Sequence, residues 1–374
     1  MANRLATTAT LSPSSPDKDK IRPRTLVVTQ YKRVTYGAGI ALGIIGTEEV
    51  RLGDITVHHQ LIGVADRISV PGDGVSSGIL GLGYPLLTSA HPGNGVPNDT
   101  ISLLTNKELY EPLLFQMHTQ GLISAWFSLT LDRLPKGQST GSGGVLGLGV
   151  LPDVKTSGPF VTVPVEPTDA LPLELTGGNI SEWTLAVEGV VWSAGGSSRA
   201  VKTNTTRFQA VVDCGNFFNQ LPQEIADRVN ADFIPPATYD SATDSYPVGC
   251  DAVPPSFGIT IAGTTFSQSP DDMIFQLPNG TCVSNIKRGG AAEGIMLNFL
   301  GGAWLQNVVA VFDFGKDEMR FAQRAGGDIV SNSTTNGTNT PPIISSAGQL
   351  ESPILGATGS LALLTWAIGS LIFG

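Results

Sequence analysis

The sequence predicts an all-β chain folded into two lobes, and three observations carry that expectation. Glycine and proline are abundant, at 45 and 25 residues, while only 14% of residues are charged. Short runs of Val, Ile, Thr and Phe alternate with Gly, Pro, Asn and Ser, the pattern of many short strands joined by tight turns. At 374 residues the chain is long enough for two lobes that each bury a core. Helical signals are confined to two stretches. Pro222–Val229 opens on a proline and carries Glu224 in its first turn. Thr100–Thr119 is expected to be a second helix, broken at Pro112. Neither carries chemistry.

Charge and ligand spacing exclude several function classes. The net charge of −10 leaves no stripe of Lys and Arg for a phosphate backbone, so no nucleic-acid partner is expected. The same acidity suits work at low pH, where carboxylates neutralise and self-repulsion falls. His58, His59, His91 and His118 show no ligand spacing with cysteine or carboxylate, so neither metal nor cofactor is expected. The segments Gly78–Gly83 and Gly144–Gly149 lack the Gly-x-Gly-x-x-Gly order opening a helix that nucleotide phosphates need.

The functional reading centres on Asp213. Residues 211–222 read Val-Val-Asp-Cys-Gly-Asn-Phe-Phe-Asn-Gln-Leu-Pro, an apolar run that delivers one carboxylate into a glycine-containing turn. Glycine lets the backbone bend tightly enough to hold a carboxylate outward at a strand end. Asp before Gly is also ordinary turn chemistry, so the meaning comes from the surrounding segments. Val34-Thr35-Tyr36-Gly37-Ala38-Gly39 precedes Ser77-Gly78-Ile79-Leu80-Gly81-Leu82-Gly83-Tyr84-Pro85. Leu122–Leu129 and the Gly-rich Gly143–Gly149 follow, then Asp213-Cys214-Gly215, then Phe299–Asn307, Val311–Asp313 and Arg320–Ala322.

In this order and spacing, residues 25–325 resemble the pepsin-like aspartic proteases, and in particular a fungal-type, GPI-anchored member. The resemblance implies a bilobal β fold with a cleft between pseudo-twofold lobes, and endopeptidase action on protein or peptide substrates. It places Tyr36, Gly37 and Gly39 on a flap hairpin over the substrate. Asp213 becomes the second-lobe catalytic aspartate, with Cys214, Gly215 and Asn216 forming its turn. It also implies a disulfide between Cys250 and Cys282, which flank a 31-residue loop, and leaves Cys214 unpaired.

The family needs two aspartates, and only Asp213 lies in an Asp-Thr/Ser/Cys-Gly triplet. Asp213 precedes Gly301 by 88 positions, and the same count back from its first-lobe counterpart Gly81 falls before Met1. Asp17 and Asp19 sit in Ser-Pro-Asp-Lys-Asp-Lys with no glycine following. The expectation is therefore an N-terminally truncated chain whose first lobe is incomplete, with unpaired sheet edges beside the cleft. Two carboxylates held about 3 Å apart share one proton, so that one acts as base toward a water and the other as acid. A lone aspartate cannot play both parts, and the chain is expected to be inactive as written. The alternative is a non-catalytic relative that binds peptide or cell-wall protein.

Local departures point the same way. Cys214 replaces the hydroxyl that braces the two lobes, offering only a weak donor. Asn216 stands where a hydroxyl bonds the carboxylate, and its amide is expected to donate instead. Gly302 occupies a position often held by Asp, and Phe217-Phe218 is expected to narrow a subsite.

The expected boundaries are an irregular segment at 1–24, an N-terminal lobe at 25–160 with its flap around 34–39, and a C-terminal lobe at 161–325. A Ser/Thr/Asn-rich glycosylated linker at 326–352 and an apolar tail at 353–374 complete the chain. The uncharged tail after a small-residue stretch fits a GPI-attachment signal, with a membrane span as the alternative. Sequons at Asn98, Asn179, Asn204, Asn279, Asn332 and Asn336 fit a secretory route to an extracellular, cell-surface location. Met1–Arg24 contains no apolar core of signal-peptide length, which the same truncation explains. A monomer is expected.

Overall fold

The structure is a computed structural model that describes residues 30–36, 39–68, 78–88, 90–92, 108–133, 142–196, 200–277, 279–292, 295–325, 343–346 and 372–373. Its organising element is a six-stranded sheet across the middle of the molecule. In spatial order it contains Ile343–Ser346, Gly144–Leu148, Trp126–Leu131, Val308–Asp313, Glu318–Gln323 and Val161–Pro164. All of its pairings are antiparallel. Val308–Asp313 is buried at every position, so it reads as an unbroken apolar run ending in one aspartate.

A second six-stranded sheet builds the first lobe. Gln30–Tyr36 and Gly39–Leu52 form a hairpin in which Tyr36 faces Gly39, so the chain reverses where the flap is expected. Gly37 and Ala38 at its tip lie outside the described residues. Gly39–Leu52 then pairs along its length with Ile55–Ile68. The second lobe contains a five-stranded sheet, Ile286–Arg288, Asn219–Leu221, Phe299–Leu300, Phe208–Val212 and Thr184–Val187, backed by a four-stranded antiparallel sheet.

The apolar core joins all of these layers. Trp183 packs its ring on Tyr84, Phe127 and Phe312 at centroid distances of 4.6, 5.7 and 5.1 Å. Its indole N–H donates to the Leu82 carbonyl at 2.8 Å, so one side chain ties first-lobe backbone to the second lobe. Trp304, fully buried, packs on Phe321 and Phe266 under the end of the central sheet.

Three sequence expectations are refined. Of the helix expected over Thr100–Thr119, the part after the break expected at Pro112 is described, as Leu113–Thr119. Residues 108–112 are not helical, and Glu108 instead bridges Ala90; residues 100–107 are outside the described set. A proline fits a helix start but not its interior, so this helix opens just after Pro112. Second, short parts of the stretches read as linker and tail are strands. Ile343–Ser346 pairs with Gly144–Leu148, and Ile372–Phe373 runs parallel to Ile55–Ile68 and antiparallel to Gly78–Ile79. Third, Gly144–Leu148 and Ile55–Ile68 gain neighbours from these stretches, while Gly78–Ile79 remains an outer strand among the described residues, an edge as expected. The helix at Gln223–Asn230 forms where expected, with Pro222 at its N-cap.

Cys250 and Cys282 form a disulfide with Cα atoms 5.2 Å apart. Cys282 lies in a small sheet with Pro247–Val248 and Ile274–Gln276. Replacing both cysteines with serine is expected to cost about 3–4 kcal/mol, read as a shift in the urea midpoint. An unchanged midpoint would show that the loop is held without the bridge.

Candidate active site

Asp213 is positioned by a crossing of backbone that the local sequence dictates. Phe208–Val212 runs parallel to Phe299–Leu300, and the Asp213 N–H donates to the Leu300 carbonyl at 3.1 Å. The chain then turns through Cys214-Gly215, and the Gly215 N–H donates to Asp213 Oδ1 at 2.8 Å. After the turn it returns beside Gly301 and Gly302. The N–H of Gly302 donates to the Asn216 carbonyl at 2.7 Å, and that of Ala303 to the Phe217 carbonyl at 3.0 Å. A Cβ at Gly301 would lie 2.3 Å from the Phe218 carbonyl oxygen, so only glycine lets these two segments touch. The Gly301 N–H also donates to Asn219 Oδ1 at 3.1 Å. The carboxylate is thus fixed by two segments nearly ninety positions apart, rather than by its own turn alone.

The expected role of Asn216 is not borne out in this geometry. Its Oδ1 accepts from the Phe218 N–H at 3.1 Å, and its buried Nδ2 has no hydrogen-bond partner. The side chain caps its own turn instead of donating to Asp213, a local bond that Asn makes readily. Cys214 is exposed and outside the disulfide. Desolvation of the thiol, then the Asp213 charge, push its pKa up. Phe217 and Phe218 do cluster, with the Phe217 ring 4.7 Å from Phe275.

Asp213 and Cys214 border a cavity of about 60 Å³ between the lobes, walled by Leu80, Leu82, Phe127 and Phe299. One residue of this cavity went unnoticed in the sequence. Glu182 lines it with only 3% exposure. Burial pushes its carboxyl from 4.5 to about 8; the hydroxyl of Thr168, donating to Oε2 at 3.3 Å, opposes the rise, and the Asp213 charge adds to it. Nothing in Ser181-Glu182-Trp183 announces this, because the residues that bury Glu182 come from distant positions. Since the folded state holds this proton and the unfolded chain does not above the ordinary carboxylate range, the stability present below about pH 4.5 is lost as pH rises toward 8. Glu182→Gln is expected to flatten that decline, a difference on the order of 2–4 kcal/mol at pH 8. Denaturation midpoints of the two proteins from pH 4 to 8 check this, and parallel curves would contradict it.

The resemblance makes Gly81 the first-lobe counterpart of Gly301, and the strand before it is Gly78–Ile79. Phe299–Leu300 has a parallel neighbour carrying Asp213 and an antiparallel neighbour, Asn219–Leu221. Gly78–Ile79 has its antiparallel neighbour in Ile372–Phe373, and no parallel, aspartate-bearing strand among the described residues.

A family model described as eukaryotic aspartyl protease matches residues 26–324. The chain belongs to the eukaryotic aspartyl protease family. A probable aspartic-type endopeptidase of Aspergillus fumigatus is 38% identical over 308 residues, covering 80% of this chain and 65% of the relative. Rhizopuspepsin-1 of Rhizopus niveus is 27% identical over 293 residues, covering 77% of this chain and 63% of that protein. The chain therefore spans a little under two thirds of the length of these relatives. Among solved structures, the aspartic proteinase from Irpex lacteus superposes with a TM-score of 0.59 at 20% identity, covering 83% of this chain and 85% of its own. That likeness establishes the bilobal, mostly β aspartyl protease fold.

Other predicted residues fall as follows. The disulfide joins the expected cysteines, and the sequon residues Asn179 and Asn279 are exposed, with Asn204 partly so. Asn98, Asn332 and Asn336 lie outside the described residues, as does most of the apolar tail. No helix among the described residues is long and apolar enough to cross a membrane.

Proposed function

We propose that this chain carries one half of the catalytic centre of a secreted aspartic endopeptidase, and that its 374 residues alone do not hydrolyse peptide bonds. The observation that carries the reading is Asp213, held at a strand end by Leu300, Gly215 and the Gly301 crossing, at the mouth of a cavity between the lobes. Paired with a second carboxylate, Asp213 would share one proton with it. The ionised member would take a proton from a water bound between them while the protonated one donates toward the scissile carbonyl oxygen. The attacking oxygen then bonds the carbonyl carbon, and the amine leaves with the proton the pair passes on. Within residues 1–374 no second Asp-Thr/Ser-Gly supplies that partner.

The secretory route and the GPI anchor belong to the same proposal, supported by the disulfide, the exposed sequons and the uncharged tail at 353–374. A second reading, a non-catalytic peptide-binding relative, is favoured by Asn216, whose side chain caps its own turn through the Phe218 N–H.

Cleavage of acid-denatured protein at pH 3–5 separates these ideas from an independent activity. The chain is expected to show no pepstatin-sensitive cleavage. Pepstatin-sensitive cleavage by these 374 residues would overturn the half-site reading.

A further inference from the structure

We propose that at neutral pH Glu182 receives, in the cavity beside Asp213, the cationic head of a basic side chain, Lys or Arg, of a bound peptide, with its apolar stem along the cavity wall. The proposal rests on the peptide-binding reading of this site and names the residue class it takes.

Glu182 is almost fully buried, yet only half of its carboxyl is used. Oε2 accepts from Thr168, while Oε1 has no hydrogen-bond partner. A buried polar atom left unpaired costs about 1–3 kcal/mol, and an apolar residue of similar size would avoid that cost. Folding alone therefore gives no reason for a carboxyl here. Ser181 Oγ, from the adjacent residue, is likewise buried without a partner. The cavity thus combines a wall of leucine and phenylalanine with acceptors at Glu182, Ser181 and Asp213, and no Lys, Arg or His lines it.

Such a lining complements a ligand that brings hydrogen-bond donors and positive charge on an apolar stem. At about 60 Å³ the cavity admits the end of one side chain rather than a peptide. Exposed Cys214 and half-buried Asp213 line it, so the cavity borders on solvent at the aspartate turn.

The groups that titrate at the cavity are Asp213 and Cys214, from the strand-and-turn 208–215, and Glu182 itself. Thr168 and Thr184 face Glu182 from neighbouring segments and do not titrate, Thr168 lying 2.6 Å from Thr184. Glu182 holds a proton up to about pH 8. A cation that pairs with its carboxylate must displace that proton, one released for each cation bound. Affinity for the cation therefore rises with pH up to about 8 and then levels off.

The test uses the full chain and n-butylammonium, with 1-butanol as the neutral control, followed by ¹⁵N shifts of the Trp183 indole at the cavity wall. Expected is butylammonium binding whose affinity strengthens about tenfold per pH unit between pH 6 and 8, with 1-butanol weaker and independent of pH. Glu182→Gln should remove the slope. Asp213→Asn should keep it, starting at lower pH because the neighbouring charge is gone. Absence of binding, equal binding of 1-butanol, a slope unaffected by Glu182→Gln, or a slope lost in Asp213→Asn would each overturn the assignment. None of these readings depends on proteolysis, so failure of the endopeptidase proposal would leave the titration unchanged.

Discussion

Replacing Asp272 with alanine is expected to destabilise the folded chain by about 3–5 kcal/mol, because it strands buried donors rather than removing a surface contact. Asp272 sits in a short 3-10 turn, Pro270–Asp272, with 6% exposure. Arg133, just past the central strand Trp126–Leu131, places its guanidinium on both carboxylate oxygens at 2.7–3.0 Å. Asn307 completes the cluster, donating to Asp272 Oδ2 at 2.7 Å while accepting from Arg133 at 2.5 Å. The clasp ties the end of the central sheet to the second lobe. Planar guanidinium and carboxylate fit as a fork, which makes the pair stronger than a point contact. Alanine would leave the Arg133 guanidinium partly buried without its carboxylate, and the Asn307 amide with only the Ala303 carbonyl to donate to. Urea denaturation of the variant checks the figure. A loss below about 1 kcal/mol would mean that water replaces the carboxylate and that the lobes do not depend on this clasp.

The second large effect is chemical. In a chain supplied with a preceding Asp-Thr-Gly segment, Asp213→Asn is expected to lower the cleavage rate at pH 3–5 by at least about 10³-fold. An amide cannot share or pass the proton that the pair needs. Cys214→Thr should preserve or raise the rate, by restoring a hydroxyl where the exposed thiol now offers only a weak donor. Rates on acid-denatured protein, measured with both variants folded, read these effects directly. A rate insensitive to Asp213→Asn would remove Asp213 from the chemistry.

Sequence and structure agree where the information is consecutive. The Asp213 turn, the Gly-rich strand at Gly144–Leu148, the hairpin Val308–Asp313 with Glu318–Gln323 and the helix at Gln223–Asn230 are each encoded by neighbouring residues, by period and by glycine or proline. The disulfide was legible only through resemblance, since three cysteines allow more than one pairing. What was not legible depends on contacts made at long range. Glu182 reads as an ordinary strand-start glutamate until Trp183, Thr168 and Asp213 enclose it. Asn216 has the right functional groups to donate to Asp213, but its Oδ1 is held by the Phe218 N–H and its amide nitrogen is left unpaired. The strand pairings of Ile343–Ser346 and Ile372–Phe373 follow from sheet edges elsewhere in the fold, which no pattern within those residues announces.

The most direct measurement of the central claim is proteolysis at pH 3–5 by the 374-residue chain, compared with the same chain preceded by a segment carrying Asp-Thr-Gly. No pepstatin-sensitive cleavage is expected from the first, and cleavage that pepstatin stops from the second. Cleavage by the chain alone, at a rate that Asp213→Asn leaves untouched, would contradict the half-site reading.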